Sequence, residues 1–177
     1  GRRGSGTVFL ANCNLACVFC QNHDISQRPD DYLDAVTPTG DLARMFLALQ
    51  AHGCHNVNWV TPSHVVPFAV EGLALARAAG MDLPLVYNTS SYDGIETLRL
   101  LEGLVDVWLA DLRYSEDDVA RDLSGAPGYV AASRAAVVEM ARQVGVDPVF
   151  GPDGTLHRGL VIRLLVLPND LAGVRES

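Results

Sequence analysis

Five short, apolar, β-branched runs alternate along this chain with longer segments of helical periodicity, and no other feature restricts the fold as much. The runs are Thr7 to Ala11, Asn56 to Val60, Pro84 to Tyr87, Val105 to Ala110 and Leu160 to Leu167. Each is bounded by turn residues, and their near-continuous apolar character is that of parallel strands buried on both faces. Between them, Leu42, Met45, Phe46 and Leu49 recur at helical spacing before a stop at Gly53. A second helix is expected from about His64 to Ala79, ending at Gly80. A third carries Ile95, Leu98 and Leu101 and ends near Gly103, and a fourth carries Val137, Met140, Ala141 and Val144 before Gly145. The order βαβαβαβαβ predicts an α/β fold with a parallel sheet and right-handed crossovers, either doubly wound or part of a (β/α) barrel.

Both architectures place chemistry at the carboxyl ends of the strands. Here every such end is polar: Cys13, then Thr61, Ser63 and His64, then Asn88, Thr89 and Ser90, then Asp111 and Arg113, then Asn169. The stretches Gln27 to Gly40 and Asp147 to Gly159 read as loops. No repeat, low-complexity tract or composition shift divides the chain, so residues 1–177 are expected to form one domain. The last run is almost wholly apolar and would leave an exposed sheet edge that a further βα unit should cover. A start at Gly1 without methionine adds to that. The expectation is about five βα units of a partial barrel with the sixth missing, in a piece truncated at both ends.

Composition narrows the function. With 49% hydrophobic residues the chain can build a core, and with 13 basic against 21 acidic residues its net charge of −8 should repel polyanions, which argues against nucleic acid as a partner. All the basic residues are arginine, which excludes Schiff-base chemistry and the lysine of a phosphate-binding P-loop. No apolar run reaches the roughly 18 to 20 residues of a membrane helix, and nothing at the start reads as a signal peptide, so a cytoplasmic, reducing setting is expected.

The most informative stretch is Asn12-Cys13-Asn14-Leu15-Ala16-Cys17-Val18-Phe19-Cys20-Gln21-Asn22. Three thiols in the loop after the first strand can converge on one centre, and soft thiolates select zinc, copper(I) or iron–sulfur clusters. Three ligands on a four-iron cube leave one iron open. Adding His23 would instead complete a closed Cys3His zinc site, and with it a non-catalytic, zinc-stabilised binding module. Cys54, at the opposite end of the second strand, reads as a small buried apolar residue.

Strand, Cys-x3-Cys-x-aromatic-Cys, then a βα series resembles the radical S-adenosylmethionine superfamily. Gly4-Ser5-Gly6-Thr7, Cys17-Val18-Phe19-Cys20-Gln21-Asn22, Val60-Thr61-Pro62-Ser63-His64 and Val86-Tyr87-Asn88-Thr89-Ser90 further resemble relatives of the pyruvate formate-lyase activating enzymes. The resemblance implies a [4Fe–4S] cluster on Cys13, Cys17 and Cys20, with S-adenosylmethionine on the free iron. It places Phe19 near the adenine. Asn88, Thr89 and Asp111 would hold the methionine carboxylate, with a bound cation between them, and Arg113 would supply positive charge. Thr61 and Ser63, where the superfamily often has a Gly-Gly-Glu segment, could accept hydrogen bonds from the amino group. The activity implied is reductive cleavage to methionine and a 5′-deoxyadenosyl radical that takes hydrogen from a substrate, a glycyl-radical protein among the candidates. The partner implied is an electron donor such as flavodoxin or ferredoxin.

Other residues complete the expectations. Arg163, inside an apolar strand, should meet a carboxylate, of the ligand or of Asp111. His64 is a candidate ligand residue or a helix cap, whereas His23, His52, His55 and His157 read as surface or loop residues. Glu116-Asp117-Asp118 reads as a solvated helix start, and Trp59 and Trp108 read as core.

Overall fold

The computed structural model describes residues 3–28, 31 and 36–176. The elements run β1 (Gly6–Phe9), α1 (His23–Gln27), α2 (Thr39–Ala51), β2 (Val57–Val60), α3 (Val66–Ala78), β3 (Leu85–Thr89), α4 (Ile95–Leu100), β4 (Val107–Leu112), α5 (Asp117–Ser124), α6 (Tyr129–Val144), β5 (Val149–Phe150) and β6 (Leu156–Leu164). They build a six-stranded sheet in the order β1-β2-β3-β4-β6-β5, parallel except for the β5–β6 pair. The expected α/β class and the run of βα units of a partial barrel are both present. The acidic run opens α5 as expected. The short α1 was not foreseen, and parts of the loop from Gln27 to Gly40 lie outside the described residues.

Strand alternation sorts the chain into two faces. Trp59, Tyr87 and Trp108 stand in register on β2, β3 and β4, almost fully buried, and pack with Phe46 of α2, Leu98 of α4 and Met140 of α6. The helices α2 and α3 pack closely because Gly72 has no side chain: a Cβ there would lie 2.9 Å from the Leu42 side chain. The opposite face presents Phe9, Val60 and Asn88 in one register row and Asp111 beside Arg163 in the next. The site lies on this face.

The last strand differs from expectation. The stretch 147–159 is not a plain loop: Gly151 N–H donates to Thr155 O at 2.8 Å and turns β5 back antiparallel to β6, which starts at Leu156 and ends at Leu164 rather than running from Leu160 to Leu167. The Gly-Pro-Asp-Gly turn marked by the sequence thus closes a hairpin. Beyond it, Val161, Ile162 and Leu164 are exposed, and among the described residues no strand pairs with the outer edge of that segment.

Candidate metal and cofactor centre

The cysteine-bearing loop has almost no regular structure, yet it is tied down along its length. Asn12 turns it out of β1 at φ +76°, a left-handed conformation that asparagine tolerates. Leu15 is buried against Tyr114, Ala120, Ala126 and Tyr129. Its carbonyl accepts from Gln27 Nε2 at 2.8 Å, and Asn14 Nδ2 donates to Tyr92 O at 2.6 Å. The N–H groups of Ala16 and Val18 donate to the carbonyls of Ser124 and Leu123, both at 2.9 Å, so the C-terminus of α5 clamps the loop on either side of Cys17. A tight turn, Cys20 N–H to Cys17 O at 3.1 Å, brings the last thiol back.

Cys13, Cys17 and Cys20 are free thiols lining one cavity of about 600 Å³. Burial pushes the Cys13 thiol above its ordinary range, partly countered by the Leu15 N–H and by Arg113, so it is coordination that would strip its proton. The donor set fits an iron–sulfur cluster with an open position: three soft thiols, and no histidine or fourth cysteine in the lining. It fits mononuclear zinc poorly. Such a site needs thiolates roughly 3.8 Å apart around one ion, and among the described residues no three Cys, His, Asp or Glu side chains converge in that way. His23 is exposed with its Nδ1 3.7 Å from Asp24, and Cys54 sits half-buried, rather than buried, in the turn before β2.

Across the cavity the register of β4 and β6 sets Asp111 against Arg163. Arg163 Nε donates to Asp111 Oδ1 at 2.6 Å and its Nη2 to Asn88 Oδ1 at 3.0 Å, while Arg113 Nη2 donates to Asp111 Oδ2 at 2.8 Å. The expected Arg163–Asp111 pair is present. Burial disfavours the charged Arg113 guanidinium, but Asp111 and Cys17 outweigh it and raise its pKa overall. Two guanidiniums on one carboxylate, one on each oxygen, leave the cluster of charges net positive, a setting for an anion. Tyr129 is the keystone beneath: its hydroxyl accepts from Arg113 N–H at 3.0 Å and is donated between Ser90 O at 2.8 Å and Asp111 O at 3.0 Å.

The remaining expected residues divide. Phe19, Thr61, Asn88 and Thr89 line the cavity. Thr61 holds φ +51°, an uncommon and strained conformation for a β-branched residue, with its N–H on Asn88 O at 2.8 Å. The Thr89 hydroxyl is already committed, donating to Asp93 and accepting from Ser91 N–H at 3.0 Å. Ser63 and His64 are not in the lining: Ser63 sits by the Tyr87 hydroxyl, and His64 Nε2 donates to Ala11 O at 2.6 Å, capping nothing but anchoring the loop after β1. Asp93, Tyr129, Ser124 and Tyr114 were not anticipated. Asp93 is only 6% exposed, accepts from Tyr87 and Thr89, and holds the end of β3. Ser124 had one sequence signal, a serine before Gly125 at a helix stop.

The Radical SAM superfamily model matches residues 7–164. An uncharacterized protein of Methanocaldococcus jannaschii, MJ0674, is 31% identical over 132 residues, which is 71% of this chain and 38% of that protein. The chain thus spans little more than a third of the length of this relative.

Proposed function

The chain belongs to the radical SAM superfamily, and from that premise we propose that the cavity is its cofactor site, used to generate a radical that takes hydrogen from a substrate. The family's cofactors are a [4Fe–4S] cluster and S-adenosylmethionine. Bound together they supply a one-electron reductive cleavage of the sulfonium, giving methionine and a 5′-deoxyadenosyl radical. The observation that carries the reading is the set of three thiols in one cavity, without a fourth thiol or imidazole in its lining, facing a net-positive Asp111–Arg113–Arg163 group.

In this reading Cys13, Cys17 and Cys20 hold the cluster and leave one iron open. Arg163 and Arg113, which share a single carboxylate between them, supply the positive charge that meets the methionine carboxylate. Asp111 orients both guanidiniums, and Asn88 Oδ1 steadies Arg163. Phe19 offers an aromatic face at the cavity wall for the adenine, and Thr61, in the same lining, is the candidate acceptor for the amino group. The protein's work is orientation and exclusion of water. The electron comes from a low-potential donor such as flavodoxin or ferredoxin. The finer assignment, hydrogen abstraction from a glycine of a partner protein, is supported by the Val60–His64 and Val86–Ser90 segments. Among the described residues no helix is long and apolar enough to cross a membrane.

Anaerobic reconstitution of the chain with iron and sulfide should give a brown protein that, once reduced, converts S-adenosylmethionine to methionine and 5′-deoxyadenosine. A colourless protein carrying one zinc per chain would overturn the reading. With deuterium in candidate substrates, label appearing in 5′-deoxyadenosine from a protein rather than from a small molecule tests the finer assignment.

A further inference from the structure

The three cysteine sulfurs sit in unequal surroundings. Cys13 and Cys20 are half-buried; the Leu15 N–H reaches Cys13 Sγ at 3.4 Å, and the Ser26 hydroxyl lies 3.3 Å from Cys20 Sγ. Cys17 is 5% exposed and accepts from two side chains, Ser124 Oγ at 2.9 Å and Arg113 Nη1 at 3.1 Å. Behind Ser124, at 2.6 Å, lies the Tyr114 hydroxyl. A serine has one proton to give; with that proton on the sulfur, Tyr114 is the donor in the second contact. A relay therefore runs from Tyr114 through Ser124 to Cys17, in the helix end that also clamps the loop.

Resting on the cluster-binding reading above, we propose that Ser124 is a positioning residue that sets the reduction potential of the cluster through its hydrogen bond to Cys17. One-electron reduction spreads added negative charge over the ligating sulfurs, and a donor aimed at a sulfur favours the reduced form. Burial strengthens that bond, and donation from Tyr114 polarises it further. Arg113 acts with the same sign but also serves the Asp111 pair, so its loss would disturb the cofactor side as well. Ser124 is uncharged and absent from the cavity lining. It can be changed without removing a contact to bound cofactor. The step it governs is the transfer of one electron from a low-potential reductant to the oxidised cluster, with no bond made or broken and no proton moved.

The test is a potentiometric titration of the reconstituted full chain, followed by electron paramagnetic resonance of the reduced cluster, for wild type, Ser124→Ala and Tyr114→Phe. Loss of the Ser124 hydroxyl should weaken reduction about tenfold, which for one electron is ~59 mV toward more negative potential. Tyr114→Phe should shift it in the same direction by less, with iron and sulfide content per chain unchanged. Midpoints within ~18 mV of wild type for both variants, a factor of about two in the reduction equilibrium, on chains that carry full clusters, overturn the proposal while the cluster reading stands. If Ser124→Ala does not load a cluster, Tyr114→Phe decides, since Ser124 stays on Cys17 there. A wild type that takes up no iron and sulfide overturns the cluster reading and this proposal with it.

Discussion

Replacing Asp111 with asparagine tests the arrangement at its most connected point. The Asp111 side chain is 12% exposed and is the only described side-chain anion paired with Arg113 and Arg163. An amide is nearly the same shape but offers one acceptor and one donor group where the aspartate offered two acceptors. One guanidinium is therefore left facing an NH2. The Arg113 side chain is 23% exposed, so its charge-assisted hydrogen bond lies in the range of about 1.5–3 kcal/mol. The Arg163 side chain is 51% exposed and screened, and its share is about 0–1 kcal/mol. Because the neutral amide leaves one guanidinium without an acceptor and weakens the bond to the other, Asp111→Asn should destabilise the chain by about 1.5–4 kcal/mol. With a urea m-value of roughly 2–3 kcal/mol/M, the unfolding midpoint should fall by about 1 M. Urea unfolding followed by circular dichroism reads this directly. In an Arg163→Met background the same substitution should cost about 0.5–1 kcal/mol less, because the competition of two cations for one amide is gone. A midpoint that moves by less than about 0.2 M refutes the argument that Asp111 holds the two guanidiniums in place.

Other outcomes follow from the packing and the strain. Gly72→Ala puts a methyl 2.9 Å from Leu42 and should cost about 1–3 kcal/mol by overpacking; measured against a Leu42→Ala background, the same substitution should cost less in a urea titration. Thr61→Gly releases about 1–2 kcal/mol of left-handed strain against about 0.5–1 kcal/mol of added chain entropy, so the melting temperature should hold or rise slightly while affinity for S-adenosylmethionine falls in equilibrium dialysis; a clear destabilisation would show that φ +51° carries no strain. Glu139, hydrogen-bonded first by Arg142 and then by Gln143, is held at a pKa of about 2. A depressed carboxylate contributes stability that is complete above the unfolded value near 4.5 and is lost as pH falls toward 2. Acid titration should then show the difference between wild type and Glu139→Gln shrinking across that window, and a difference that is constant from pH 5 to pH 2 would contradict it.

What was readable in the sequence was what depends on short-range pattern. The three thiols are legible because their spacing confines them to one loop, and the helix stops at Gly53, Gly80 and Gly145 are legible because each sits at positive φ, where only glycine is unstrained. The Asp111–Arg163 pair was inferred from energetics alone, since an arginine inside an apolar strand needs a carboxylate, and the parallel register then delivered one directly opposite. Rim position alone leaves a side chain's task open: it makes His64 a candidate ligand residue or a helix cap, whereas its imidazole holds Ala11 O outside the lining, and Thr89 lines the cavity with its hydroxyl held by Asp93. Nothing in the local sequence separates a side chain that faces the cavity from one that ties down its wall.

The most consequential miss follows from the same limit. Residues 116–118 read as a solvated helix start, and so they are, but the function of that helix lies at its other end. There the last carbonyls of α5, which a helix leaves without partners, receive the N–H groups on either side of Cys17. A loop that has to keep three thiols apart and pointed inward cannot use those N–H groups in regular structure of its own, and a helix C-terminus cannot satisfy its final carbonyls alone. Each supplies what the other lacks. That complementarity places Ser124 against the sulfur, 107 residues away in the chain, where no reading of local spacing could have put it.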